Sequence, residues 1–191
     1  MSDDATSGAE DAAKAEDATK MTEAPTDLGA ASRRLLEESF NEGKFGAADE
    51  LLAPEAVNHD PATPPQMRAL RGPEAARRAA EMYRRGFPDL RITVDDVIVG
   101  DDMVALRWHS EGTHRGELAG FAPTGVRASA TGMSIDRWKD GKIVEAWTEW
   151  DNLGLARQLG AAPPEGSPGE KIGTMLQRLM ARRMRKKNAA S

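Results

Sequence analysis

Apolar side chains in the first part of the chain recur at the spacing of helices. Those of the first predicted helix share one face and are Leu28, Leu35, Leu36 and Phe40. This helix ends at residues 41–43 (NEG), a typical stop signal, and a second short helix is predicted over residues 45–52. A third is predicted over residues 72–85, where Gly72-Pro73-Glu74 places a proline at a favoured first-turn position.

The spacing changes to the two-residue period of strands near residue 90. Four strands are predicted, over residues 90–99, 103–113, 126–139 and 142–151, and a shorter extended piece begins over residues 57–60. A tight Asp140-Gly141 turn joins the last two strands. Helices followed by an antiparallel meander predict an α+β domain and not a doubly wound parallel sheet.

The two ends of the chain lack the pattern of a packed domain. Residues 1–27 contain no aromatic and almost no branched aliphatic residue, so we expect a disordered acidic tail there. One domain is predicted over residues 28–160. Residues 161–191 form a linker followed by a basic amphipathic helix, whose apolar face carries Ile172, Met175, Leu176, Leu179 and Met180.

Charge is distributed unevenly along the chain. The formal net charge is −5, but residues 1–27 carry about −6 and residues 169–191 about +6. The body therefore has no basic surface suited to a phosphate backbone, and contact with nucleic acid or an anionic membrane is possible only through the C-terminal helix. The alternatives for that helix are docking on a partner or on a dimer mate, or a solubilising tail.

Two absences in the sequence narrow the chemistry and the location. The chain has no cysteine, which excludes thiol nucleophiles, disulfides and zinc-thiolate sites. It has no apolar run of about 18 residues that could span a membrane, and no basic and apolar start typical of a secretion signal. We therefore expect a cytoplasmic protein.

Several separated motifs resemble one known family. They are residues 58–60 (NHD), 72–74 (GPE), 87–89 (FPD), 112–116 (GTHRG), 122–125 (APTG) and 140–145 (DGKIVE), with Arg137, Trp147 and Asp151. In this order over about residues 28–160 they resemble the SnoaL-like polyketide cyclases, often labelled ester cyclases, of the NTF2-like superfamily. The resemblance implies a cone-shaped barrel, in which a curved antiparallel sheet packs on N-terminal helices around a pocket. It also implies a homodimer formed through the outer face of the sheet.

The resemblance further implies an intramolecular aldol reaction that needs no cofactor, in which a pocket aspartate removes an activated C–H proton. Desolvation in an apolar cavity gives a carboxylate the proton affinity for this role. In the resembling sequences the base commonly follows the glycine of the third strand, where this chain has Ser134. Since residues two apart on a strand share a face, Asp136 is the substitute candidate. Its alternative is a surface aspartate paired with Arg137 or Lys139.

Two histidines are further catalytic candidates. His59 and Asp60 are expected near the pocket mouth, as a general acid or a substrate-binding pair, although His59 could simply brace the loop. His114 is close to two glycines and could enter the cavity or hold its turn. Together with His109 these residues could supply metal ligands, but nothing places His109 and His114 on one face, so no metal is expected.

Polar and aromatic side chains complete the predicted site. Substrate-binding residues are expected at Asp60, Tyr83, Trp108, Ser134, Trp138 and Trp147. Of the aromatic residues, Tyr83, Trp138 and Trp147 are expected to touch the cavity, and core packing explains them equally well.

Two hypotheses for the function follow. The first is a cofactor-free cyclase, isomerase or hydrolase that acts on a hydrophobic carbonyl compound by carboxylate or histidine proton transfer. The second is a non-catalytic ligand-binding or dimeric interaction module whose tails bind partners, and Ser134 at the expected base position favours it. A lone buried acid in an open cavity would support the first hypothesis, and a filled or salt-bridged interior the second.

Overall fold

The structure of the protein is a computed structural model, and it describes residues 27–188. Within this range five strands form one curved, mixed sheet with helices on its inner face, an α+β fold. The predicted disordered tail, residues 1–27, lies outside the described residues except for Asp27. The boundaries predicted for the domain, at residues 28 and 160, stay a prediction.

Three helices cover the inner face of the sheet, and they are α1 (Leu28–Glu37), α2 (Gly46–Leu51) and α3 (Gly72–Gly86). α1 begins where the Asp27 carboxylate accepts a hydrogen bond from the Ala30 N–H at 2.9 Å. It continues as a π-helical turn, Glu38–Glu42, and ends at Gly43, whose φ of 66° is a left-handed conformation that glycine adopts freely. The predicted stop signal therefore acts where the sequence indicates.

The five strands are β1 (Leu52–His59), β2 (Arg91–Val99), β3 (Met103–Thr113), β4 (Arg127–Lys139) and β5 (Lys142–Trp150). Their order in the sheet is β1-β5-β4-β3-β2, and β2 to β5 form the predicted antiparallel meander. β1 differs from the prediction, because it starts directly after α2 and pairs with β5 in parallel. A parallel pair requires a long connection, which α3 and the other three strands supply here.

β5 contains a bulge close to its start. Arg137 pairs with Glu145 but Trp138 pairs with Ile143, so Val144 is an extra residue on β5. The bulge shifts the alternation of the strand by one residue. The β5 side chains that face the helices are Ile143, Ala146, Thr148 and Trp150.

The two faces of the sheet differ in their environment. The inner face and the helices enclose the core, in which Leu51, Val104 and Ile143 are fully buried. The outer face is open in the described residues and carries an apolar row across four strands. This row, named here the outer apolar row, consists of Ile98, Ala105, Ile135 and Trp147.

Two helices follow the sheet, α4 (Asn152–Gln158) and α5 (Pro168–Asn188). An ion pair of 2.6 Å between Arg157 and Glu170 joins the end of α4 to the first turn of α5. The apolar side chains of α5 are exposed, namely Ile172, Met175, Leu176, Leu179, Met180 and Met184. Among the described residues, no helix combines the length and the apolar character that crossing a membrane requires.

Candidate active site

A cavity of about 190 Å³ opens between the helices and the inner face of the sheet. Most of its wall is apolar and includes Leu35, Leu36, Phe40, Leu106 and Ile143. Three carboxylates also line it, Asp60, Glu111 and Asp136, whereas no Lys, Arg or His of the described residues does. This wall suits a largely hydrophobic ligand with a few polar groups.

Asp136 is the most deeply buried carboxylate of this wall. It points inward from β4, and only 7% of its surface is exposed. Burial raises its pKa to about 6, and a hydrogen bond from the Ser32 hydroxyl of α1 lowers the pKa in part. The Ser32 oxygen accepts a hydrogen bond from the Trp138 indole N–H at 3.3 Å, which orients the hydroxyl. The alternative of a surface aspartate is wrong, because Arg137 points to the opposite face and lies 3.8 Å from Glu145.

A row of polar groups crosses the floor of the cavity beside Asp136. The Trp108 indole N–H donates to the Ser134 hydroxyl at 3.1 Å, and that hydroxyl lies 3.4 Å from the hydroxyl of Thr148. Thr148 donates to the side-chain oxygen of Asn58 at 3.5 Å. The row therefore joins β3, β4, β5 and β1, and its member Ser134 lies two residues from Asp136 on the same face of β4.

Gly132 makes room for the indole of Trp108. It pairs with Trp108 on one side and with Trp150 on the other. A Cβ at this position would lie 2.4 Å from an indole carbon of Trp108 and 2.8 Å from the Cβ of Trp150. Only glycine therefore allows the two tryptophans to form one continuous wall.

A second polar cluster, formed by Asp60, Tyr83 and Trp150, lies further along the cavity. The Asp60 carboxylate accepts a hydrogen bond from the Ala62 N–H at 2.8 Å, which fixes its orientation just after β1. Burial raises the pKa of Asp60, and the bond from Ala62 opposes this. The ring of Tyr83 meets that of Trp150 edge-on, with 5.9 Å between the ring centroids.

Two of the predicted site residues lie on the outer face of the sheet. The His59 Nε2 atom is 2.8 Å from Glu145 Oε1, and its ring stacks on Trp147 with 5.4 Å between centroids. Trp147 also lies under the guanidinium of Arg137. The contact with the cavity that was expected for Trp147 is not formed, because the bulge at Val144 turns this side chain outward.

Two others lie behind the cavity wall. Trp138 is 5% exposed and contacts Ser32 rather than the cavity. His114 is fully buried, packs on Phe87 at 5.2 Å between ring centroids, and its Nδ1 atom lies 3.2 Å from the Thr124 hydroxyl. Its backbone bonds to residues 125 and 126, so it holds its own turn and does not reach the cavity.

The remaining predicted residues line the cavity, and they are Asp60, Tyr83, Trp108, Ser134 and Asp136. Sequence reasoning missed two polar residues that accompany them, Ser32 and Thr148, and it did not single out Trp150 from the other aromatic residues. Ser32 is a polar residue within the apolar face of the first helix. This position in the sequence could have identified it as a residue of the cavity. Thr148 and Trp150 could not be assigned to the inner face without knowledge of the bulge.

A metal site finds no support in the part of the chain that the structure describes. No group of three or more His, Asp or Glu side chains there has a spacing that could hold a metal ion. His109 lies on the outer face, where its Nδ1 atom is 2.9 Å from Asp95 Oδ1.

The part of the chain that forms the sheet and the cavity is similar in sequence to known proteins. The sequence profile of the SnoaL-like polyketide cyclases matches residues 30–159. Aklanonic acid methyl ester cyclase AcmA of Streptomyces galilaeus is 33% identical over 139 residues, which cover 71% of this chain and 92% of AcmA.

Two solved structures are also similar to this chain, both in sequence and in fold. TsrD from Streptomyces laurentii is 32% identical with a TM-score of 0.61, and the match covers 72% of this chain and all (100%) of TsrD. IdmH from Streptomyces antibioticus is 35% identical with a TM-score of 0.58, over 70% of this chain and 99% of IdmH. With its five-stranded sheet, its cavity between sheet and helices, and this similarity over most of its length, the chain belongs to the SnoaL-like polyketide cyclase family.

Proposed function

We propose that the protein is a cofactor-free cyclase that closes a ring in a hydrophobic carbonyl compound, with Asp136 as the catalytic base. The observation that carries the proposal is the deeply buried carboxyl of Asp136 in a mostly apolar cavity wall, where it forms no ion pair with any of the described residues. A pKa of about 6 leaves this group ionised near neutral pH and gives it more proton affinity than an exposed aspartate.

The reaction proposed is an intramolecular aldol addition. The Asp136 carboxylate removes a proton from the carbon next to a carbonyl group, and the electron pair of that C–H bond forms an enolate. The enolate carbon attacks a second carbonyl carbon of the same molecule, so that one C–C bond forms and the second carbonyl becomes an alkoxide. The proton held by Asp136 then returns to the alkoxide oxygen, and no oxidant, reductant or water is consumed.

The polar row beside Asp136 supports this chemistry. The hydroxyls of Ser134 and Thr148 lie on the same cavity floor, and either can donate to an enolate oxygen by giving up its long bond within the row, which is 3.4 Å between the two hydroxyls or 3.5 Å to Asn58. The relative AcmA is named for the cyclisation of an ester, and an ester is uncharged. An uncharged substrate also suits a cavity wall that holds carboxylates but no cationic side chain within the described residues.

Proton removal by Asp136 can be tested without knowledge of the natural substrate. The probe is 2-tetralone, a bicyclic ketone with acidic C–H bonds, dissolved in D₂O at neutral pH. Proton NMR follows the exchange of these hydrogens for deuterium, and titration calorimetry measures binding. We expect the wild-type protein to accelerate exchange by at least about 100-fold over buffer, in line with general base catalysis.

The control variants separate the role of Asp136 from a general charge effect. Asp136→Asn should bind the probe but exchange it at the buffer rate. Asp101→Asn removes one carboxylate from an exposed turn and should behave as the wild type. A wild-type protein that binds 2-tetralone without accelerating exchange would refute the catalytic proposal and support the binding-module hypothesis.

We also propose that the protein is a homodimer formed through the outer face of the sheet. This face carries the outer apolar row, in which Ile98 is 70% and Ile135 is 38% exposed, with Met133 next to it at 62%. Neighbouring positions carry paired charges, such as Arg137 with Glu145. An apolar centre with a charged rim is typical of an interface between subunits.

A further inference from the structure

The cavity has two acidic ends, and the proposed reaction uses only one of them. Asp136 lies at the end next to α1, whereas the cluster of Asp60, Tyr83 and Trp150 lies toward α3 and the end of β5. All three residues of this cluster line the cavity. The cluster is therefore open to a ligand that also reaches Asp136.

The carboxylate of Asp60 has acceptor capacity left for a ligand. The Ala62 N–H occupies one position on Oδ1, and the indole N–H of Trp150 also approaches the carboxylate. A carboxylate has about four lone-pair positions, so at least one remains for a donor on the ligand. Since the group is partly desolvated, a bond to such a donor is worth more than it would be on the surface.

Tyr83 contributes the complementary group. Its ring is held between Phe40, at 6.2 Å, and Trp150, at 5.9 Å between ring centroids. Burial raises the pKa of the Tyr83 phenol and the nearby Asp60 raises it further, so the hydroxyl stays a donor. Within residues 27–188, no side chain or backbone group forms a hydrogen bond with this hydroxyl.

The register of the sheet gives the separation of the two ends. His59 pairs with Trp147 on β5, so Asp60 comes level with Thr148, which pairs with Ser134, two residues before Asp136 on β4. Two residues along the strand are about 7 Å and the two strand spacings from β1 to β4 about 10 Å, so Asp60 and Asp136 lie roughly 12 Å apart. After about 3 Å for a contact at each end, a ligand that meets both groups spans roughly 6 Å between its acidic carbon and its far polar group. Two fused six-membered rings have about this length.

We propose that Asp60 and Tyr83 bind a hydroxyl group of the substrate, about two fused rings away from the carbon that Asp136 deprotonates. The proposal rests on the proposed function, because it assigns two further residues of the same cavity. A hydroxyl both donates and accepts, so it satisfies the carboxylate of Asp60 and the phenol of Tyr83 at once. Asp60 and Tyr83 therefore determine specificity for a substrate that carries a hydroxyl at this position.

The test compares two probes that differ only in this hydroxyl, 2-tetralone and 6-hydroxy-2-tetralone. Titration calorimetry measures the Kd of each for the full-length protein. The wild type should bind the hydroxylated probe at least about ten-fold more tightly, the effect of one or two hydrogen bonds that involve a charged or buried group. Tyr83→Phe and Asp60→Asn should each reduce this ratio by about five-fold or more while binding of 2-tetralone changes little.

Each variant is checked against its own binding of 2-tetralone, so a folding defect cannot imitate the expected result. Asp101→Asn serves as the matched control for the loss of one carboxylate and should keep the wild-type ratio. A wild-type ratio near one, or a ratio that survives both Tyr83→Phe and Asp60→Asn, would overturn the inference. The deuterium exchange of 2-tetralone is a separate readout, so failure of the proposed function remains distinguishable from failure of this inference.

Discussion

The buried carboxylate of Asp136 lowers the free energy of unfolding at neutral pH. Replacing it with an uncharged side chain should therefore stabilise the protein. Its pKa is raised from the ordinary value of 3.8 to about 6. Between these two values the unfolded chain releases the proton and the folded protein keeps it, so stability falls as the pH rises through this window. Asp136→Asn removes this loss and should increase the free energy of unfolding at pH 7.5 by about 2–3 kcal/mol, from about 1.36 kcal/mol per pKa unit.

Urea unfolding of both proteins at pH 3.5 and pH 7.5 measures the effect. The advantage of Asp136→Asn should be present at pH 7.5 and nearly absent at pH 3.5, where the wild-type carboxyl is mostly protonated in both states. Equal stability of the two proteins at pH 7.5 would contradict the burial argument.

Ser32 should set the pKa of the base through its hydrogen bond to Asp136. Its hydroxyl hydrogen bond lowers the pKa of Asp136, so Ser32→Ala should raise that pKa. Carbon-detected NMR of the Asp136 carboxyl measures the change, and the pH profile of deuterium exchange should move to higher pH by the same amount. Ser39→Ala is the control, because Ser39 is an equally buried serine whose hydroxyl has no partner within the described residues. A shift of the same size in both variants would rule out a specific role of Ser32.

At the scale of the elements, the close packing of β3, β4 and β5 depends on Gly132. Gly132→Ala would place a methyl group 2.4 Å from the Trp108 indole, so the tryptophan must move. We expect a loss of about 1–3 kcal/mol in the free energy of unfolding and weaker binding of 2-tetralone. Gly173→Ala on α5 is the control, since no atom lies within 4 Å of its added methyl group and alanine favours a helix. Unchanged stability of Gly132→Ala would mean that Trp108 is loosely packed.

The elements also show how far the sequence could predict the site. Periodicity predicted the three helices and the meander, and strand alternation correctly placed Asp136 on the same face as Ser134. The same rule failed on β5, because the bulge at Val144 depends on pairing with β4 and leaves no mark in the sequence itself. Trp147 was expected inside and lies outside for this reason.

The positions of two histidines differ from the prediction for another reason. His59 and His114 belong to motifs that point to the pocket, but the direction of a side chain at the end of a strand is set by tertiary contacts. Here Glu145 and Trp147 hold the ring of His59 on the outer face, and Phe87 and Thr124 enclose that of His114. Their catalytic roles stay untested predictions, and neither ring lines the cavity.

At the scale of the whole molecule, the outer apolar row predicts the oligomeric state. Ile135→Glu would place a charge at its centre, between Ala105 and Trp147. We expect the wild type to sediment as a dimer and this variant as a monomer in analytical ultracentrifugation. Val126→Glu changes an exposed residue outside the strands and should leave the dimer intact. A monomeric wild type at micromolar concentration would contradict the proposal.

The basic C-terminal helix α5 contributes no described residue to the wall of the cavity. α5 exposes its apolar side chains and is joined to the body at its first turn by Arg157 and Glu170. Contact of this helix with nucleic acid, a membrane or a partner stays a prediction.

The most direct test of the central claim is a titration of the Asp136 carboxyl by carbon-detected NMR, with and without 2-tetralone. We expect a midpoint near pH 6, because burial raises the pKa, and a clear shift of the signal when the probe enters the cavity. A midpoint near the ordinary value of about 4 that does not respond to the probe would contradict the assignment of Asp136 as the base.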